Sequence, residues 1–203
     1  MVFFNIMEVR LVGGIGNVGQ ALAEVRNVRP DAPRTENRGE LISPEMLEFL
    51  VGLLRADDTR YLFLKLMTAT LDVTAPEEWW HQGEAYFGRL EWVRRHPTGE
   101  ENRSLLSQSD FEGGIPSMLL DTLNEHIAAG QRELLAATMP ENFLRRAYVI
   151  TNYAELRLLY QERGHYNSGH WRDLASFIDT LPYSELLTVR AEGLPSTGAN
   201  TML

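Results

Sequence analysis

Thr151-Asn152-Tyr153-Ala154-Glu155-Leu156-Arg157-Leu158-Leu159-Tyr160-Gln161-Glu162-Arg163 is the stretch on which the reading of this chain turns. Leucines and other strong helix formers predict a helix to about Arg163, with Thr151 as its N-cap. At about 100° per residue, the steps from Asn152 to Arg163 return to nearly the same face. Along the axis the two are about 16 Å apart. Leu156 and Leu159 lie on the stripe between them. An amide and a guanidinium bracketing an apolar stripe suit a long ligand with two polar ends. The same pattern also describes an ordinary helix with polar ends and a buried middle.

Working upstream, residues 143–150 are β-prone and Pro140 stops a helix. That helix is expected to start at Pro116 and run unbroken to about Thr138, with Leu120, Leu123, Ile127 and Leu134 as its apolar stripe. Residues 96–114 are polar and read as a loop. Pro76 is expected to open a helix to about Arg95. Residues 61–73 suit a helix or a strand; the reading taken is a helix that becomes extended near 70–73. Ser43 and Pro44 mark the N-cap and first position of a helix over 44–55, after a polar loop over 27–40. Residues 7–12 alternate as a strand, and 20–28 form a short helix. Downstream, 164–169 is a turn, 168–179 a helix and 181–187 a short closing turn. The segment from Val189 on, rich in Gly, Ser and Thr, is expected to be a disordered tail. The sum is an α+β chain, mainly helical with a small antiparallel sheet, folded as one domain over residues 1–188.

Gly14, Gly16 and Gly19 have the spacing of a dinucleotide-binding fingerprint between a strand and a helix. The surroundings argue against it. No second strand with an acidic residue follows at the right distance, and strands and helices do not alternate. A plain glycine turn is the preferred reading.

Composition narrows the chemistry. The chain has no cysteine, which removes disulfides, cysteine metal sites and thiol nucleophiles. Its net charge of -9 argues against a nucleic-acid-binding surface. Lys65 is the only lysine, so positive charge comes almost wholly from arginine. Arginine suits bidentate contacts to phosphate and carboxylate, and codon bias explains the excess equally well. No apolar run reaches about 18 residues, so no membrane span is expected and the cytosol is the default compartment. The histidines, His81, His96, His126, His165 and His170, show no strong metal spacing; His165 and His170 across a turn are a weak zinc pair. Asp57-Asp58 and Glu77-Glu78 read as solvated or helix N-terminal charges.

The run from Pro140 to Asn152, Leu156 and Arg163, followed by His170-Trp171 and a further helix, resembles the C-terminal half of the flavin-dependent thymidylate synthases, the ThyX family. The opening MEVRLVGGIGNVGQALAEV is similar to that family's first strand and helix. Residues 147–160 and Leu181-Pro-Tyr-Ser-Glu resemble uncharacterised relatives carried by phages and prophages. The resemblance implies a ThyX-like fold that holds FAD and transfers a one-carbon group to a dUMP-like pyrimidine deoxynucleotide. It also implies NADPH and methylenetetrahydrofolate as cosubstrates and a homotetramer with shared sites. Residue by residue, it implies Arg163 on the substrate and Asn152 on the flavin. The absence of cysteine excludes the other thymidylate synthase class, which attacks the uracil ring with a thiolate.

The family's Arg-His-Arg signature, with its spaced serines, falls near residues 77–92. There this chain keeps His81 without the flanking arginines or the serines. Of what remains, the resemblance places His81 and Trp80 on the cofactor side and Tyr86 and Arg89 on the substrate side. Trp79-Trp80, with Trp92, read either as a stacking platform or as core. A second family arginine is Ala136 here, and a histidine- and serine-containing stretch has become Arg55-Ala-Asp-Asp-Thr-Arg60. Arg94 and Arg95 are geometrical substitutes or a solvated helix end. Methyl transfer needs fixed positive charge where negative charge develops, and losing one such donor costs about 100-fold. No catalytic residue is therefore assigned. Three functions remain open: a ThyX-like flavoenzyme, a nucleotide- or protein-binding phage protein that keeps the fold without the chemistry, and a helical assembly protein.

Overall fold

The computed structural model describes residues 7–33, 42–56, 62–87, 91–93, 105–163 and 169–190, with backbone only at 84–87 and 91–93. In chain order the elements are β1 (Glu8–Leu11), α1 (Val18–Val28), α2 (Pro44–Ala56), α3 (Leu62–Leu66), β2 (Thr68–Pro76), α4 (Glu77–Phe87) and β3 (Glu91–Val93). A 3-10 turn at Gln108–Asp110 follows, then α5 (Ser117–Ala128), α6 (Arg132–Thr138), β4 (Leu144–Asn152), α7 (Tyr153–Arg163), α8 (Gly169–Asp179) and α9 (Glu185–Thr188). The chain is thus mainly helical with a small sheet. It divides into two compact units, one of Met1–Gly13, Thr70–Thr151 and Tyr166–Leu174, the other of Gly14–Ala69, Asn152–His165 and Ala175–Leu203.

In the first unit the strand order is β1-β2-β4-β3. β1 pairs antiparallel with β2, Arg10 opposite Asp72, and β3 pairs antiparallel with β4, Trp92 opposite Val149. The period-2 pattern sets the faces. Leu71, Val73, Ala75, Ala147 and Val149 are buried, while Asp72 and Arg146 meet on the opposite face as a bidentate ion pair. Around α5 and α6, Phe111, Leu123 and Leu135 form a small core flanked by Ile115, Leu119 and Phe143. Asn124 holds both the N–H and the C=O of Leu106, at 2.7 and 3.0 Å.

The second unit is helix on helix. On α2, Met46, Leu50 and Leu54 recur every fourth residue and are fully buried, the spacing of a core-facing stripe. Ser43 caps this helix through the Met46 N–H. α1 packs on α3, α3 on α7, and α9 on both α7 and α2.

Several boundaries differ from the sequence-based expectations, each for a local reason. The helix expected from Pro116 to Thr138 is two, because Gly130 adopts a left-handed φ of 65° and turns the chain. The ambiguous stretch at 61–73 resolves into the short α3 and a strand that already begins at Thr68. Pro76 ends β2, and α4 stops at Phe87 short of Arg95, with strand β3 beyond. Thr151 belongs to β4 and is buried there; the cap of α7 is Asn152. The glycine turn is indeed a turn: Gly16 bridges Thr68, and the antiparallel β1–β2 pair excludes the parallel unit a dinucleotide fingerprint needs. Beyond Arg190 the expected tail lies outside the described residues, as do Arg94, Arg95, His96 and His165.

Candidate functional site

α7 starts where β4 ends, and the turn between them is closed by a side chain. Asn152 Oδ1 accepts the backbone N–H of Glu155 at 3.0 Å, an N-cap that satisfies one of the helix's unpaired donors. Asn152 is half-buried, and so is Arg163 at the last helical position. Between them Leu156 is 1% and Leu159 6% exposed. The stripe that the sequence suggested as a ligand bed is therefore packed, α7 lying against α3 and α9. Asn152 and Arg163 stand at the two ends of a buried ridge, where each can touch a ligand separately.

The same helix carries polar groups that sequence reasoning missed. Arg157 is buried, and its Nη1 donates to the Leu186 carbonyl at 3.1 Å and to the Val189 carbonyl. Gln161 Nε2 reaches the Val189 carbonyl at 3.5 Å. The phenol of Tyr153 donates to the Pro182 carbonyl, and burial raises its pKa well above the usual tyrosine value. Tyr160 is raised in the same direction, first by burial and then by the nearby carboxylate of Asp179. An arginine among leucines on a helix reads in sequence as a solvated or snorkelling side chain, so nothing there announced Arg157 as a buried anchor.

In the first unit α4 opens with Glu77 and Glu78, and its tryptophans point inward. Trp80 has no exposed surface. Its indole N–H donates to the carbonyls of Ala75 and Arg145, at 3.0 and 3.2 Å. The Arg145 guanidinium lies 4.9 Å from its ring centre, and Trp79 packs edge-on at 5.0 Å. Trp79 also packs on Trp171, whose N–H donates to Gln82. A ring so enclosed offers no face to a cofactor, and Trp80 is a core residue. His81 is exposed on α4. Tyr86 belongs to α4 but its side chain lies outside the described residues, as does all of Arg89. His170 Nε2 and Glu112 Oε1 pair at 2.8 Å beside the tryptophan cluster.

The donor chemistry can be tested against FAD. Its pyrophosphate needs cations or clustered N–H donors. The described side chains of α4 do not fit: its first turn is acidic, and Arg145, reaching in from β4, sits 3.4 Å from Glu77. The two ends of α7 fit better, each on its own: the Arg163 guanidinium suits a nucleotide's phosphate, and the Asn152 amide suits the polar edge of a ring. In the second unit a groove of about 820 Å³ runs between α2 and α9, walled by Leu47, Glu48, Val51, Arg55, Glu185 and Arg190, where the sequence had signalled nothing. Among the described residues no three His, Asp or Glu side chains gather as metal ligands, and no helix is long and apolar enough to cross a membrane.

No protein family's sequence profile and no curated protein sequence matches the chain. Solved structures do. A thymidylate synthase X (ThyX) of Helicobacter pylori, crystallised with FAD and dUMP, is 13% identical and superposes with a TM-score of 0.68 over 91% of this chain and 97% of that one. A second structure of the flavin-dependent thymidylate synthase ThyX from the same organism, also with FAD and dUMP, gives 0.70 at 13% identity over 91% and 100%. The similarity is to the whole length of those proteins, and the fold of this chain is the fold of the flavin-dependent thymidylate synthases.

Proposed function

We propose that this protein binds FAD and a dUMP-like pyrimidine deoxynucleotide, and that it transfers a one-carbon group to the nucleotide. The observation that carries this reading is the end-to-end likeness of fold to proteins holding those two molecules. In this reading Arg163, with Arg89 and Tyr86, serves the nucleotide, and Asn152 and His81 lie on the flavin side. Trp80 supports α4 from the core. Methylenetetrahydrofolate supplies the carbon and NADPH the reducing equivalents. The protein works as a homotetramer in the cytosol, and its divergence is of the phage and prophage kind.

A second reading rests on a specific observation: the α4 segment lacks the arginines that would polarise a uracil ring, and begins instead with two glutamates. In it the protein binds the nucleotide, or a protein partner, without turnover. One series of measurements separates the two. The purified protein is examined for flavin absorbance, its melting temperature is followed with FAD, dUMP and dCMP, and dUMP is incubated with methylenetetrahydrofolate and NADPH. Flavin colour, a thermal shift and thymidylate formation support the enzyme. A shift without product supports the binding protein. A colourless protein with no shift overturns both.

A further inference from the structure

Arg157 is 3% exposed and lies on α7 between Asn152 and Arg163, about 8 Å from the first and 9 Å from the second along the axis. Its guanidinium binds backbone, the carbonyls of Leu186 within the short α9 and of Val189 just after it. Gln161, one turn further on, directs its amide to the same Val189 carbonyl. These carbonyls belong to the class that a helix end leaves without internal partners.

At the start of α7 the Tyr153 phenol makes one further directional contact, to the Pro182 carbonyl, and the apolar contacts along the helix differ in kind. Leu156 and Leu159 pack by apolar burial, which is non-directional and tolerates a small slide or rotation of the helix. A planar guanidinium joined to two carbonyls fixes distance and angle together. Burying it carries a desolvation cost, which the two carbonyl contacts offset. What the arginine adds is register.

We propose that Arg157 is a positioning residue, which locks α7 against the C-terminal backbone and so sets where Asn152 and Arg163 meet their ligands. This inference rests on the reading of α7 as the ligand-bearing helix. A displacement of about 1 Å at a binding group is enough to cost large factors in binding or rate.

The test uses the full-length chain, its Arg157→Met and its Arg157→Lys variants. Affinities for dUMP and FAD are measured by calorimetric titration, and melting temperatures without ligand. The expected result is an Arg157→Met protein that melts lower, because the Leu186 and Val189 carbonyls lose their donor, and binds dUMP at least about tenfold more weakly, while Arg157→Lys melts near the wild type and still binds more weakly than it. Affinities of Arg157→Met within about twofold of wild type overturn the proposal. So does a loss of affinity that merely tracks the loss of melting temperature across both variants. If Arg157→Met does not fold, Arg157→Lys decides: weakened binding at a near-native melting temperature supports the positioning role, and unchanged binding overturns it. A wild type that binds neither ligand removes the reading of α7 itself. A wild type that binds both, beside unimpaired variants, removes only the positioning role.

Discussion

At Gly16 an added Cβ would stand 2.4 Å from Thr68 Oγ1, at the point where the two residues exchange backbone hydrogen bonds. The backbones cannot separate without breaking that bridge, so Gly16→Ala should cost on the order of 1–3 kcal/mol in chemical denaturation, and Thr68→Ala in the same chain should recover part of it. Tyr153 carries a pH dependence. Burial raises its folded-state pKa, so its contribution is complete below the unfolded value of about 10 and is lost as pH rises past that value toward the folded one. Stability should therefore fall above about pH 10, and Tyr153→Phe should flatten the fall while Tyr160, shifted the same way, keeps part of the slope. A variant as steep as the wild type would assign the effect elsewhere.

Helix α7 depends on one side chain for its start. Asn152→Ala removes the cap on the Glu155 N–H and should cost about 1 kcal/mol, whereas Asn152→Ser restores a capping oxygen and should return most of it. The pair also separates two roles of the residue. If the Asn152 amide serves a ligand as well, Asn152→Ser should melt like the wild type and still bind FAD more weakly; equal affinity would leave it a cap alone. The joint between α5 and α6 makes a parallel case. Gly130 sits at a φ of 65°, where a Cβ is strained, and Gly130→Ala should destabilise by about 1 kcal/mol although no atom lies near the new methyl. Fusing α5 and α6 into one helix would be the alternative outcome, visible as a gain in helical circular dichroism.

For the molecule as a whole, the proposed assembly predicts a particle of about four times the 23.1 kDa chain in light scattering. A monomeric mass would show that any site this chain forms is complete within one copy. The net charge of -9 predicts no retention on a polyanionic resin at physiological salt.

Taken alone, the sequence settled what periodicity and punctuation can settle. The start of α2 at Ser43-Pro44, the β1 alternation, the stop at Pro140 and the helix ending near Arg163 all follow from local spacing and punctuation, and the mainly helical class follows from their sum. The resemblance drawn on Asn152 and Arg163 pointed to the fold that the superposition with solved structures then bore out. Local spacing was silent wherever a choice depended on partners distant in sequence. Whether residues 68–76 were strand or helix was decided by the bridges to Gly16 and to β1. Whether Trp80 faced a ligand or the core was decided by Arg145, and whether the ridge of α7 was open or packed by α3 and α9. Burial is a property of what the rest of the chain brings to a residue, and only tertiary structure supplies it.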